Sequence, residues 1–500
     1  MERKIAVSFL LAITLIPSLA LAIYDWQDLR VNNIYSTVTN YGVLGQVQGG
    51  SDAGTYWPRP AMDTLNNLLP PLMNYVYGWG LWVGAQVKTT RSIGGITLDT
   101  LVTIGYNPNN YSYEFTPGAV VVGVPQDPAD SSAKVYVSTD ADWPLKKTSG
   151  QDSIISMCDT RCTYNDYLTT AHATGGRPLK IEVTQTTYQW NLPVLEDLIY
   201  FLWEVKNTGT DTLYNVYLAP TADCDIGNEA DAAANDVCYY DTTTNMAYQY
   251  QVDSAEAGWT RKPGCVGISI LQGPVATKDY TYPDGRQIFT GDTLGLTHYK
   301  VFLIAGWPED LEQYMFLAGY SYLTGDYRAF DPKPSPGDCR FIASTGPVDL
   351  APGASIRLVA CLICAGYNYA YLNSDDTLSI DSLRLKARYA KTFFDQLGVT
   401  GAPNENTITS FGLLQNAPNP FRQQTTISYQ TSKSEMVNLK VYNIAGQTVK
   451  TLVNEDKKAG SYEIRWDGKD ECGNLVASGV YFCQLKAGEK IVTKRMMLLR

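Results

Sequence analysis

The sequence predicts an all-β protein: a β-sandwich body with one packed helix at about residues 380–397, plus a C-terminal Ig-like β-sandwich. Three observations carry this expectation. Strand-favouring residues abound, Tyr alone occurring 35 times. Short runs that alternate apolar and polar residues recur between Gly, Pro, Asn and Asp turns. Only one long stretch repeats its apolar residues at helical steps. Charged residues make up 18% against 45% hydrophobic, a balance common where Thr, Ser, Asn and Tyr cover a β-rich surface.

The chain opens on a targeting segment. Arg3 and Lys4 supply a positive start, Ile5 to Ile16 an apolar run, and Ala20-Leu21-Ala22 a small-residue cleavage site, so residues 1–22 read as a signal peptide. The apolar run is too short to span a bilayer and no later one is longer, so no transmembrane span is expected. Five hundred residues exceed one ordinary core, which predicts two or three domains. The order expected is a β-rich region at 23–195, a β-sandwich region with its terminal helix at 196–397, a Gly/Pro/Asn/Thr-rich linker at 398–410, and the Ig-like unit at 411–500. Charge divides at the same place. Residues 23–410 hold 24 Lys and Arg against 41 Asp and Glu, whereas 411–500 hold 13 against 8. An acidic body excludes nucleic acid as a partner, because phosphate binding needs clustered cations.

Within the body, Gly78-Trp79-Gly80-Leu81-Trp82-Val83-Gly84-Ala85 and Thr97 to Ile104 alternate at period two around Gly94-Gly95, the pattern of a hairpin. Trp79 and Trp82 are three apart and point to opposite faces of a strand, which favours core packing over a carbohydrate platform. The glycines beside them admit close backbone approach. Leu198 to Leu218 reads as strand, polar turn, strand, and Tyr299–Trp307 and Ile356–Ala365 as continuous apolar strands of a sandwich. Ile380, Leu383, Ala387, Ala390, Phe394 and Leu397 recur at steps of three and four, with Ser379 or Asp381 to cap the start and Gly398 to end it.

Candidate chemistry is sparse. Asp223-Cys224-Asp225-Ile226-Gly227 and its continuation to Asp236 gather acids at a strand end, so Asp223, Asp225, Asp231 and Asp236 are the expected oxygen ligands of Ca²⁺, the only cofactor expected. The bland alternative is a solvated acidic loop. Ten cysteines in an exported chain point to disulfides; Cys158 with Cys162 and Cys224 with Cys238 each bracket a polar stretch. Cys361 and Cys364 lie in a buried apolar run and face opposite ways, so they are not expected to bridge. His172 and His298 are the only histidines, which leaves a His-based triad or a His-rich zinc site little to build on. No catalytic residue is assigned.

From Thr425 the alternation resumes. Ile427 and Tyr429, then Val437, Leu439 and Val441, then Tyr462, Ile464 and Trp466, then Val480, Phe482 and Leu485 mark six or seven short strands separated by glycine turns. Asn416-Ala417-Pro418-Asn419-Pro420-Phe421, Val441-Tyr442-Asn443-Ile444-Ala445-Gly446-Gln447, Gly460-Ser461-Tyr462, Trp466-Asp467-Gly468, Ser478-Gly479-Val480-Tyr481-Phe482 and the closing Lys494 to Arg500 resemble the C-terminal sorting domain of the bacterial type IX secretion system. The variant is the one similar to the Ig-like domain of the flagellar hook-capping protein. The resemblance implies a Gram-negative host, export to the periplasm, and recognition by the outer-membrane secretion machinery, with release or surface attachment. Cys472 and Cys483 depart from the family pattern and are candidates for an extra bridge.

The function expected is that of a secreted or cell-surface, non-enzymatic protein in adhesion, matrix or extracellular assembly, with self-assembly or a surface glycan as further partners. A secreted hydrolase or carbohydrate-binding protein is the alternative class, and an extracellular filament subunit a third.

Overall fold

A computed structural model describes residues 24–46, 54–62, 68–69, 72–93, 96–108, 112–121, 124–125, 133–147, 151–172, 176–192, 194–227, 235–252, 263–303, 309–321, 323–366, 377–397, 412–413, 416, 421–431, 434–443, 446–457, 460–488 and 490–498. The expected signal peptide and the 398–410 linker lie outside these residues.

The body is built on two antiparallel sheets. The first runs in the order Trp26–Leu29, Ser36–Thr39, Val43–Leu44, Gly78–Ile93, Leu213–Asp223, Cys339–Leu350, His298–Leu303, with Ile96–Ile104 also pairing to Gly78–Ile93. The second runs Thr116–Pro117, Cys158–Asn165, Ile181–Gln189, Leu198–Asn207, Ser355–Ala365, Cys265–Gln272, Met246–Gln251, Asp236–Asp241. In both sheets the strands from before residue 196 form one side and those from after it the other, hydrogen-bonded where they meet, so the two regions read from sequence share both sheets and one core. The sheets face each other across Trp79, Leu81 and Val83 from the first and Phe201, Trp203, Val266 and Leu358 from the second. Trp79 packs edge-on to Phe201, ring centroids 4.6 Å apart.

The predicted hairpin forms, with Trp82 opposite Ile104 and Gln86 opposite Thr100. Trp79 enters the inter-sheet core while Trp82 enters the cluster on the outer face of the same sheet, and both are fully buried. Gly80 shows why its position takes no side chain. A Cβ there would stand 2.9 Å from the Gly42 carbonyl oxygen and from backbone atoms of Gly105 and Tyr106. Leu198–Asn207 and Leu213–Asp223, adjacent in sequence, lie in opposite sheets. The turn between them is thus an arch over the end of the sandwich, held where the Asn207 amide donates to the carbonyls of Asp211 at 2.8 Å and Leu350 at 3.0 Å.

Helices cover both outer faces. Helix α1, Asp310–Leu317, lays Tyr314, Phe316 and Leu317 on Trp82, Val102, Tyr217 and Ile342 of the first sheet. Helix α2, Thr377–Leu397, lays Leu383, Ala387, Ala390, Phe393 and Phe394 on Trp190, Tyr200, Cys361 and Ile363 of the second. The body is therefore a four-layer αββα stack. α2 is the expected helix and begins two residues before the expected Ser379 cap; α1 was not foreseen. Among the described residues no helix is long and apolar enough to cross a membrane.

The C-terminal unit is a second sandwich. Gly412–Leu413, Thr425–Thr431 and Gly460–Trp466 form one sheet, and Thr448–Lys457, Glu435–Tyr442, Gly479–Ala487 and Lys490–Leu498 the other. They enclose a core of Phe421, Ile427, Tyr429, Val437, Leu439, Val441, Trp466, Leu485 and Met496. The motif residues fall into place within it. Phe421 and Tyr481 pack on Trp466 with centroids 5.5 and 5.3 Å away, and the Asn416 amide donates to the Thr425 hydroxyl at 2.8 Å inside the fold.

All ten cysteines are unbridged. Cys158 and Cys162 do not flank a loop but stand on one strand, opposite Gln189 and Gln185. At ~3.3 Å rise per residue they are about 13 Å apart, beyond disulfide reach. Cys483 points into the module core while Cys472 sits exposed in a surface turn, which sets their sulfurs in different surroundings. Cys361 packs under α2 and Cys364 in the inter-sheet core, as residues three apart on a strand must.

Candidate metal centre

The acidic stretch after Leu213–Asp223 contributes to a cluster of three carboxylates and one guanidinium. Asp223 ends the central strand of the first sheet, paired to Gly78 on one side and Arg340 on the other. Its carboxylate is 1% exposed. The chain then turns through Gly227, whose φ of 141° is glycine territory. The turn is anchored at both ends: the Gly227 N–H donates to the Asn74 carbonyl at 3.3 Å and the Ile226 N–H to Asp236 Oδ2 at 3.0 Å.

Asp223, Asp225 and Asp338 bring a carboxylate oxygen each to within 4.8 Å of one another. Arg340 lies among them, its Nε 3.0 Å from Asp223 Oδ1 and its Nη1 2.9 Å from Asp338 Oδ1. The Tyr106 hydroxyl donates to Asp223 Oδ2 at 3.4 Å. Three carboxylates around one guanidinium leave an excess of negative charge in a partly buried setting. Burial, reinforced by the Asp225 charge, pushes Asp223 well above the usual carboxylate range against the pull of Arg340. Burial and Asp338 push Asp225 up to about 6. Such a group can hold a proton, or a hard divalent cation that takes oxygen ligands.

Two of the four expected ligands, Asp223 and Asp225, thus come together. Asp236 does not join them: its Oδ2 accepts from Ile226 N and from Gln249 Nε2 at 2.8 Å, which fixes it as a brace of the turn. Asp231 lies outside the described residues. Asp338 and Arg340 escaped the sequence reading because they arrive from a strand more than a hundred residues away, and nothing local to Gly337-Asp338-Cys339-Arg340 marks them. His298 is a buried packing residue, its ring nitrogens 3.0 Å from Thr297 Oγ1 and 3.1 Å from the Tyr327 hydroxyl. Burial and the nearby Arg286 hold it well below the usual imidazole range.

Comparison with known proteins bears on the C-terminal unit. Residues 416–490 match the family model of the FlgD Ig-like domain, and that segment is accordingly an Ig-like domain by both sequence and fold. No curated protein matches the chain. Among solved structures it is similar to a polysaccharide lyase, at 9% identity over 95% of this chain and 46% of that one with a TM-score of 0.24. It is similar also to dimeric latent PorU from Porphyromonas gingivalis, at 9% identity over 96% of this chain and 34% of that one, TM-score 0.17. A third is PorZ, a surface component of the type-IX secretion system of the same organism, at 11% identity over 72% and 47%, TM-score 0.14. The chain spans less than half the length of each.

Proposed function

We propose that this chain is a secreted or cell-surface protein of a Gram-negative bacterium, in which the Ig-like unit addresses a non-enzymatic sandwich body to the outer-membrane secretion machinery. The body then acts outside the cell in adhesion, matrix or assembly. One observation carries the reading: the segment that resembles a type IX sorting domain matches an Ig-like family and encloses a core of its own, from Phe421 to Leu498. A unit with its own core can be recognised folded, whatever body precedes it. The signal-peptide pattern at residues 1–22 supplies the first export step. Expression in the native bacterium of the full chain and of a chain ending at residue 410 tests this. The full chain is expected outside or on the surface and the shortened one in the periplasm; equal secretion of both refutes the role given to the module.

A calcium ion at Asp223, Asp225 and Asp338 is the second part of the proposal. The close approach of three carboxylates favours it, with Arg340 moving off as the cation enters. Calorimetric titration of the mature protein with Ca²⁺ is expected to show heat that disappears in Asp338→Asn. Absence of heat in the unsubstituted protein ends the idea.

A further inference from the structure

Three of the ten thiols gather beneath the acidic cluster. Cys224 lies between Asp223 and Asp225, Cys339 between Asp338 and Arg340, and Cys238 on the edge strand Asp236–Asp241 of the second sheet; each is at most 1% exposed. Cys224 enters the network through its carbonyl, which accepts from the Gln249 side chain. The Cys238 thiol donates to Gln249 Oε1 at 2.8 Å, and Cys339 lies close enough that each thiol shifts the other, Cys238 upward and Cys339 downward. Cys339 Sγ donates to the Asp236 carbonyl at 3.3 Å, and the Gly337 N–H donates to the same oxygen at 3.0 Å. The start of the Cys339–Leu350 strand, a member of the first sheet, is thereby laced to an edge strand of the second.

We infer that Cys238 and Cys339, both free thiols in this structure, form a disulfide in the exported chain that joins the two sheets of the body next to the Asp223, Asp225 and Asp338 cluster. The inference rests on the proposed export, which takes the chain through an oxidising compartment. It replaces the Cys224–Cys238 pairing expected from sequence, which could not see Cys339 a hundred residues on. In forming the bond, one thiolate of the pair attacks a sulfur of an external disulfide, such as oxidised glutathione, and releases one external thiolate. The second protein thiol gives its proton to solvent, attacks the mixed disulfide and expels the other external thiolate. Two protein thiols are oxidised by two electrons in all, and one external disulfide is reduced to two thiols. Both sulfurs are buried in the folded body, so exchange takes place before the sandwich closes over them. Once formed, the bond fixes Asp338 and Arg340 against Asp223, holding the cluster's geometry covalently.

The test is made on the purified full chain, refolded with oxidised glutathione, alkylated, digested without reduction and analysed by mass spectrometry. The expected result is a linked Cys238–Cys339 peptide pair, lighter by two hydrogens than its reduced halves together, with Cys224 alkylated. The pair is lost in Cys238→Ser and in Cys339→Ser and kept in Cys224→Ser. Alkylation of both Cys238 and Cys339 in the refolded protein, or a disulfide bond at Cys224 itself, overturns the assignment. The peptide map of the unsubstituted chain decides the matter even where a variant fails to fold. Because the experiment is done in vitro, its failure leaves the export reading standing, and retention of the protein in the cell leaves a linked pair standing.

Discussion

Single residues carry the body's sharpest physical consequences. His172 is buried, its Nε2 3.0 Å from the Asp166 carbonyl and its Nδ1 3.4 Å from Glu114 Oε2. Burial opposes its protonation, but the Glu114 carboxylate and the Asp166 carbonyl prevail and raise it to about 9. Asp310, facing the same group from α1, is raised by burial and Glu114 to about 7. Both groups hold more protons folded than unfolded. The His172 contribution is complete below its unfolded value of about 6.5 and is lost as pH rises through 9; that of Asp310 is lost between about 4 and 7. Thermal melting should therefore fall from pH 6.5 to 9.5, and His172→Gln should flatten that limb. Gly80 is a second such residue. Gly80→Ala drives a methyl into the Gly42 and Gly105 backbones, at an expected cost of about 1–3 kcal/mol in denaturant unfolding. The close approach around Trp79 and Trp82 was legible from the glycines alone. The partner of Asp223 was not, because an ion pair between distant strands leaves no local pattern.

Secondary-structure elements differed in how plainly they announced themselves. Helix α2 was readable because its apolar face repeats over 21 residues; α1 has eight, and only Gln313, Tyr314, Phe316 and Leu317 are buried. Too few turns give a weak period. The strand Cys158–Asn165 reads as polar and loop-like because Asp159, Thr160 and Asn165 occupy it, yet these are buried and hydrogen-bonded, Thr160 to the facing Thr187. Cys339–Leu350 was hidden by Gly346-Pro347 near its end. Pairing was the least visible property, since the two strands around Thr208-Gly209-Thr210-Asp211 part company into opposite sheets. The burial of α2 makes a paired prediction. Leu383→Ala, at a position with no exposure, is expected to cost about 2–5 kcal/mol. Leu385→Ala, at a position 66% exposed on the same helix, should change unfolding by no more than ~0.5 kcal/mol.

At the scale of the whole molecule, the chain joins an acidic four-layer body to a basic Ig-like module, each with its own core. The composition, the period-two runs and the glycine turns foretold both sandwiches; they could not show that residues on either side of 196 join in the same two sheets. Separate cores imply separate unfolding, so calorimetry should resolve two transitions, of which a chain ending at residue 410 keeps one. The module's last strand, Lys490–Leu498, is a sheet edge with Lys490 and Arg495 exposed. Charged side chains there keep an open edge from pairing indiscriminately. That the module carries the address is the central claim, and transfer tests it most directly. A reporter protein given residues 1–22 at its start and 411–500 at its end, expressed in the native bacterium, is predicted to reach the cell surface or medium. Its retention in the periplasm, with the module folded, would contradict the account.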